Sequence, residues 1–230
     1  MPEMDCVYSA TMGYWIYYLL MGLAWYALEH PLVLVPLVLF FLFRRFIPDP
    51  WVFTRTFARS RRLRAQIRTN PANVTARRDL AMVYLERLRP KKAMEAIEPA
   101  VERDPNNAEI RYLLGLAQLR SGKREKALES LIQAAVLDPR VRFGDSYRAA
   151  GDALMSLKRY EDAIDAYERF VDVNSSSVEG WTKLSRAHRE HGADEASDKA
   201  LREAKKTWSV LPSYKRRQEW RWYLRCQLGI

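Results

Sequence analysis

Apolar residues dominate the first part of the chain and then give way to a charged remainder. Residues 7–28 contain no charged side chain, and a second apolar run covers residues 32–43. As helices the two runs would be about 33 Å and about 18 Å long, against roughly 30 Å for the hydrocarbon core of a bilayer. The pattern predicts a membrane anchor over residues 1–50, either a helical hairpin that turns at residues 29–31 or one spanning helix with an interfacial arm.

The residues that flank these runs predict how the anchor is oriented. Tyr and Trp are frequent in the first run, as they are in the aromatic belts of membrane proteins. Arg44 and Arg45 directly follow the second run, and six more arginines fall within residues 55–68. Because basic residues are enriched on cytoplasmic flanks, the remainder of the chain is expected in the cytoplasm, next to the membrane. A cleaved signal peptide is less favoured, since the first five residues, MPEMD, include acids and no base.

The charged remainder carries markers at a fixed period. Prolines recur at Pro71, Pro105 and Pro139, 34 residues apart, and Ala93 and Ala127 keep the same period. Small residues at such positions let paired helices approach closely, and a proline ends a helix at the residue before it. The pattern therefore predicts a series of similar helical pairs.

Three stretches share these markers, and a weaker fourth copy begins at Trp181. The three are RRDLAMVYLERLRPKKAMEAIEPAVERDP, RYLLGLAQLRSGKREKALESLIQAAVLDP and YRAAGDALMSLKRYEDAIDAYERFVDVNS. This pattern resembles the tetratricopeptide repeat (TPR), and the resemblance implies an all-α solenoid of helical hairpins. The predicted domains are the membrane anchor over 1–50, a basic juxtamembrane linker or capping helix over 51–73, repeats over 74–107, 108–141, 144–177 and 178–207, and a C-terminal capping helix over 208–230.

The resemblance also implies a binding surface, because TPR arrays hold other proteins on a concave face built mainly from the first helix of each repeat. Transferred by position in the repeat, the candidate partner-binding residues are Arg78, Met82, Tyr112, Leu113, Leu116, Arg148, Asp152, Lys183 and Arg186. The residues from repeats one and two, the upper half of this set, are mostly apolar. Those from repeats three and four, the lower half, are more basic. This distribution suits a peptide or helix with an apolar stretch and an acidic end. The alternative for Tyr112, Leu113 and Leu116 is packing against a neighbouring helix.

Charge and cysteine content narrow the classes of partner and compartment. The net charge is +10, of which residues 1–50 contribute −2, so residues 51–230 carry +12. A basic domain favours acidic partners, including anionic lipid. The chain has two cysteines, Cys6 and Cys226, at opposite ends. This is not a disulfide framework, and it suits a reducing compartment.

The sequence offers little that indicates catalysis or a cofactor. It has no Gly-rich phosphate loop and no CxxC pair. His188, Glu190 and His191 cluster locally, but no third metal ligand accompanies the two histidines, so no metal site is predicted. The tail SYKRRQEWRWYLRCQLGI interleaves bases with aromatics, a pattern that suits single-stranded nucleic acid or a membrane surface. A capping helix is the preferred interpretation, and nucleic-acid binding is not expected.

The sequence thus predicts a membrane-anchored adaptor of the bacterial inner membrane, with its TPR domain in the cytoplasm, that binds partner proteins, supports complex assembly and performs no chemistry. The organisation is similar to that of bacterial anchored TPR proteins such as lipopolysaccharide assembly protein B, whose cysteine-rich metal module is absent here. The alternative is an integral structural subunit of a membrane complex, in which residues 7–47 pack against other membrane subunits.

Overall fold

The computed structural model describes residues 50–229, together with Tyr18, Met21, Gly22 and Trp25. The chain divides into two compact units, Met1–Pro50 and Trp51–Ile230. The predicted membrane runs, apart from those four residues, and the flanking Arg44 and Arg45 lie outside the described part. Within the described part, no helix is both long enough and apolar enough to cross a membrane.

Residues 50–229 fold into ten α-helices and one 3₁₀ turn, with no strand in this range. The helices are α1 (Pro50–Thr69), α2 (Val74–Glu86), α3 (Pro90–Arg103), α4 (Ala108–Arg120), α5 (Arg124–Leu137), α6 (Asp145–Ser156), α7 (Tyr160–Val173), α8 (Val178–Glu190), α9 (Asp194–Val210) and α10 (Ser213–Leu228). The 3₁₀ turn, Val141–Gly144, precedes α6. Helices α2 to α9 pair as four consecutive hairpins, each packed on the next. The predicted all-α solenoid is confirmed for this part of the chain.

Side-chain caps start three of the four first helices. Asn73, Asn107 and Ser177 each accept a hydrogen bond from the backbone N–H three residues further on, which satisfies one of the N–H groups left unpaired at a helix start. The third repeat departs from this pattern. Its first helix, α6, begins after Gly144, which has φ +81° and makes no side-chain cap.

Small residues set the distance between the two helices of each hairpin. A Cβ atom added at Gly151 would lie 2.5 Å from Cε1 of Tyr167, so only glycine fits beneath that ring. The fourth repeat has two serines at the crossing instead. The hydroxyls of Ser185 and Ser197 lie 2.9 Å apart and hydrogen-bond each other inside the core. Each serine thereby satisfies the other, so this departure from the repeat pattern leaves neither hydroxyl unpaired.

The last helix, α10, covers the end of the array by packing on α8 and α9. The ring of Tyr223 stacks on Trp208 with centroids 4.3 Å apart, and Cys226 is buried. Trp220 and Leu224 contribute less to this cover, since both side chains are about half exposed. The helical turn places them on the face opposite Cys226.

Candidate partner-binding groove

The first helices of successive repeats lie next to one another, with α2 in contact with α4 and α4 in contact with α6. They present a row of charged side chains that includes Arg78 on α2, Glu109 on α4, Arg148 on α6 and Lys183 on α8. We call this row and the side chains among it the first-helix face. It contains most of the residues that the sequence singled out for partner binding.

The N-terminal half of the first-helix face is an ion-pair cluster centred on Arg78. Its guanidinium lies 2.9 Å from Asp79 and 3.1 Å from Glu109. Arg59 of α1 approaches Asp79 at 3.7 Å, and Arg142 of the 3₁₀ turn approaches Glu109 at 3.0 Å. The hydrogen bond to Asp79 and the charge of Glu109 raise the pKa of Arg78 despite partial burial. The cluster therefore ties α1, α2, α4 and the 3₁₀ turn together.

The C-terminal half is a second cluster that joins α6 to α8. Arg148 lies 2.9 Å from Asp145 and 3.1 Å from Glu179. Lys183 lies 2.7 Å from Asp152 and 2.9 Å from Glu179. Burial opposes the charged form of Arg148, but the adjacent carboxylates outweigh that effect and raise its pKa. Both cations are therefore held in fixed positions.

Tyr112 connects the two clusters from below. Its hydroxyl lies 3.4 Å from Asp145, and the guanidinium of Arg142 lies 5.7 Å from its ring centroid. Burial, followed by the charge of Asp145, raises the pKa of Tyr112 to about 12, so the phenol is neutral at physiological pH. Tyr112 supports the charged row rather than forming part of the exposed surface.

The structure corrects the placement of two predicted binding residues. Tyr112 is 3% exposed and Leu113 is 2% exposed, and both belong to the hydrophobic core. A partner on the first-helix face would not reach them, so the packing alternative applies to this pair. Leu116 and Met82 are half-buried at the edge of the core and remain accessible.

The other predicted residues lie at the surface of the first helices. Arg78, Arg148, Asp152 and Lys183 are partly exposed members of the ion-pair clusters, and Arg186 is exposed on α8. Their role in binding stays a prediction. The part of the face formed by α6 and α8 is less basic than the sequence predicts. Three carboxylates on these two helices neutralise Arg148 and Lys183.

Sequence reasoning missed the carboxylates that organise this face. Glu109, Asp145 and Glu179 occupy the same position in repeats two, three and four, one residue after each repeat begins. That recurrence is a signal in the sequence that could have identified them. Arg142 offers no such signal, because it belongs to the two residues inserted between repeats two and three.

That the protein has no metal site and no cofactor stays a prediction. His188 is half-buried, and burial lowers its pKa. Within the described part of the chain, no three His, Cys, Asp or Glu side chains gather as a metal site would require. The chemistry available on the first-helix face is that of ion pairing and apolar contact.

A model of the tetratricopeptide repeat family matches residues 78–142 and 148–210, more than half of the chain. The chain belongs to the tetratricopeptide repeat family. It is 34% identical over 85 residues to the small glutamine-rich tetratricopeptide repeat-containing protein 2 of Mycosarcoma maydis. That match covers 37% of this chain and 24% of the relative, so the chain spans about a quarter of that protein.

Solved structures of MamA are similar to the TPR array. One crystal structure of MamA has a TM-score of 0.61 at 23% identity and covers 71% of this chain and 88% of MamA. A structure of MamA from Desulfovibrio magneticus RS-1, beginning at its residue 41, has a TM-score of 0.53 at 20% identity and covers 58% and 75% of the two chains. At these identities the likeness shows the fold. TPR proteins are generally non-enzymatic scaffolds, and the array of this chain is a protein–protein interaction module of that family.

Proposed function

We propose that the chain is a membrane-anchored TPR adaptor. Residues 1–50 hold it in the cytoplasmic membrane, the array lies in the cytoplasm, and the first-helix face recruits a partner protein for complex assembly. Support for the anchor comes from the uncharged residues 7–28 and from the arginines that follow residue 43. The proposal assigns recruitment, and no reaction, to the array.

The observation that carries the binding role is the ordered row of charges beside accessible apolar side chains. Arg78, Arg148 and Lys183 are held by carboxylates on neighbouring helices. Because three carboxylates already neutralise Arg148 and Lys183, the exposed Arg186 is a cation of this half of the face with which a ligand carboxylate can pair. Met82 and Leu116 offer apolar contact nearby.

This arrangement supports a partner segment with both apolar and acidic side chains. The apolar part would cover Met82 and Leu116, and the acidic part would pair with Arg186 beside the second cluster. Arg186, exposed at the edge of the row, adds a charge that draws an acidic segment towards the face. The segment could be extended or helical, since the charged row runs across α2, α4, α6 and α8.

Photo-crosslinking in native membranes tests the binding role. A photoreactive amino acid at Met82 or at Arg186 is expected to capture the same protein, while the same group at Glu98 on α3 serves as the control. The double variant Met82→Glu with Arg186→Glu should reduce capture of that protein, tested with the photoreactive group at Leu116. Capture restricted to Glu98, or to residues 7–47, would contradict the proposal, and the second result would favour the structural-subunit alternative.

Membrane anchorage has its own test. After extraction at alkaline pH, the full chain is expected to stay in the membrane pellet, whereas a chain that starts at Trp51 should be released. Protease added to inverted membrane vesicles should digest residues 51–230, and protease added to vesicles of the opposite orientation should not. Release of the full chain at alkaline pH would exclude the anchor without bearing on the array's capacity to bind a partner.

A further inference from the structure

An apolar groove lies between α5 and α7, with α6 as its floor. Its volume is about 460 Å³, and its walls include Ile132 and Val136 of α5 and Ala166 of α7. The floor includes Tyr147 and Leu154. Ile132 is 50% exposed and Val136 is 77% exposed, which is a large apolar area for two adjacent turns of a surface helix. We call this feature the α5–α7 groove.

Comparison of equivalent positions shows that the solenoid does not require apolar residues at these two sites. The equivalents of Ile132 and Val136 are Glu98 and Glu102 in repeat one, Glu168 and Asp172 in repeat three, and Arg202 and Lys206 in repeat four. All six are exposed charged residues. Since three repeats pack with charge at both positions, the exposed Ile132 and Val136 are explained by a contact outside the array.

Helix α7, which forms one wall of the groove, is acidic as a whole. Within Tyr160–Val173 there are five acids and one base, a net charge of −4. Asp162 pairs with Arg159 at 2.7 Å and Asp165 pairs with Arg169 at 3.0 Å, so the rim that these four side chains form is neutral. The excess negative charge of α7 comes from Glu161, Glu168 and Asp172, which lie outside the groove lining. An apolar groove beside an acidic helix is suited to an amphipathic helix that has basic residues beside its apolar stripe.

Helix α10 of the same chain has this chemistry on its outer face. Trp220, Leu224 and Leu228 follow one another at intervals of four residues and are 48%, 49% and 70% exposed. Within Ser213–Leu228 there are five bases and one acid, a net charge of +4. The single acid, Glu219, faces inward, where its carboxylate accepts the backbone N–H of Glu179 at 2.8 Å. The outer face is therefore apolar and basic.

We infer that α10 of one copy docks into the α5–α7 groove of a second copy. The apolar stripe of α10 would cover Ile132 and Val136, and its arginines would face the acids of α7. A chain cannot fill its own groove in this way, because its α10 is packed on α8 and α9. Because this contact joins two different surfaces, α10 of one copy and the groove of another, it is heterologous, and each copy can bind two others.

Mixing experiments with the full chain in mild detergent, with micelles in excess, test this contact by sedimentation velocity. The wild-type chain is expected to form species that lengthen with protein concentration. Ile132→Glu with Val136→Glu, which copies the charge pattern of repeats one and three, should remain monomeric and folded by circular dichroism. Trp220→Glu with Leu224→Glu should also be monomeric. An equimolar mixture of the two variants retains one working contact and should give a dimer and nothing larger.

The matched control is Glu98→Gln with Glu102→Gln, which alters the same two repeat positions on α3 and should assemble as the wild type does. Disulfide formation then checks the geometry in chains with Cys6→Ser, since the native Cys226 is buried. A chain with Val136→Cys should crosslink to a chain with Leu224→Cys, and neither should crosslink to itself. The expected yield for the mixed pair is at least about tenfold higher, as a contact difference of 1.4 kcal/mol would give.

Three results would overturn the inference. The first is a wild-type chain that stays monomeric at all concentrations tested. The second is self-crosslinking of the Val136→Cys chain in preference to the mixed pair. The third concerns a fluorophore attached at position 224. If it inserts into vesicles that contain phosphatidylglycerol, and if added wild-type chain does not prevent the insertion, the outer face of α10 binds lipid. None of these results alters the test of partner capture on the first-helix face.

Discussion

Single residues at the helix crossings link the core to the charged surface. Tyr167 fills the space that Gly151 leaves, and its hydroxyl donates to Asp152 at 2.7 Å. Asp152 in turn holds Lys183 of the next repeat. Burial and the charge of Asp152 raise the pKa of Tyr167, so the phenol remains a donor. A change of one methyl group at Gly151 is thus expected to act on both core and surface.

Gly151→Ala should destabilise the protein by about 1–3 kcal/mol, because an added methyl in a closely packed crossing forces side chains off their preferred positions. Urea denaturation followed by circular dichroism measures the loss. The double variant Gly151→Ala with Tyr167→Ile recreates the Ala81 and Ile97 pair of repeat one and should recover part of it. A single variant as stable as the wild type would show that the Tyr167 ring can move aside freely.

Glu219 gives a pH dependence whose sign follows from its burial. Desolvation raises its pKa above the ordinary value of 4.5, even though the carboxylate accepts the backbone N–H of Glu179. Between 4.5 and the raised pKa the folded state binds more protons than the unfolded state, so this group's contribution to stability falls as pH rises. Glu219→Gln keeps an acceptor for the N–H and removes this titration.

We therefore expect the stability of Glu219→Gln relative to the wild type to increase between pH 4 and pH 7. Unfolding free energies from urea titrations of both proteins at a series of pH values measure this difference. Comparison of the two proteins cancels the opposite contribution of His188, whose pKa is lowered by burial. A difference that stays constant across the range would mean that Glu219 is solvated like an ordinary surface carboxyl.

At the scale of helical elements, the turn inside each hairpin reaches a left-handed backbone conformation at one equivalent position. Gly122 and Gly192 occupy it in repeats two and four, with φ of +81° and +85°. Leu88 and Lys158 occupy it in repeats one and three, with φ of +55° and +60°. Non-glycine residues pay a conformational penalty there, so the turns of repeats one and three are strained relative to the others.

Exchanging residues at this position should shift stability in opposite directions. Lys158→Gly is expected to stabilise the fold by about 0.5–1 kcal/mol, and Gly122→Lys to destabilise it by about 1–2 kcal/mol. Thermal unfolding of both variants measures the shifts. Both positions are exposed, so neither substitution changes the core. Two shifts of the same sign would mean that side-chain contacts, rather than backbone conformation, control this turn.

The hairpins themselves could be predicted from sequence, because periodic alanines, glycines and Asp-Pro steps report local packing and helix ends. The 3₁₀ turn could not be predicted in full, because Gly144 signals only its last residue, whereas Arg142 and Phe143 adopt left-handed φ of +47° and +60° although neither is a glycine. The same turn delivers Arg142 to Glu109. The partner-binding surface was therefore predicted only in part. Tyr112 and Leu113 do not belong to it, because both side chains are buried in the core.

At the scale of the whole array, each repeat packs on its neighbours along the chain. The stability of a repeat therefore depends on its interfaces with the repeats on either side. The terminal repeat lacks a neighbour on one side and depends on its cap. Helix α10 supplies that cap through Tyr223 against Trp208 and through Trp222 near Lys183, whose ammonium lies 5.1 Å from the indole centroid. Loss of the cap should therefore destabilise the fourth repeat more than the repeats further from it.

Tyr223→Ala should loosen the cap and the fourth repeat while the first two repeats keep their protection. The stacked pair loses ring–ring contact and apolar burial together, about 1–3 kcal/mol for a partly buried ring. Hydrogen exchange read by mass spectrometry should show faster exchange in α8, α9 and α10 and little change in α2 to α5. Tyr223→Phe, which keeps the stacking ring and loses only the hydroxyl, is the matched control. Equal acceleration in every helix would mean that the array unfolds as one cooperative unit, and the nearest-neighbour description would then fail for this protein.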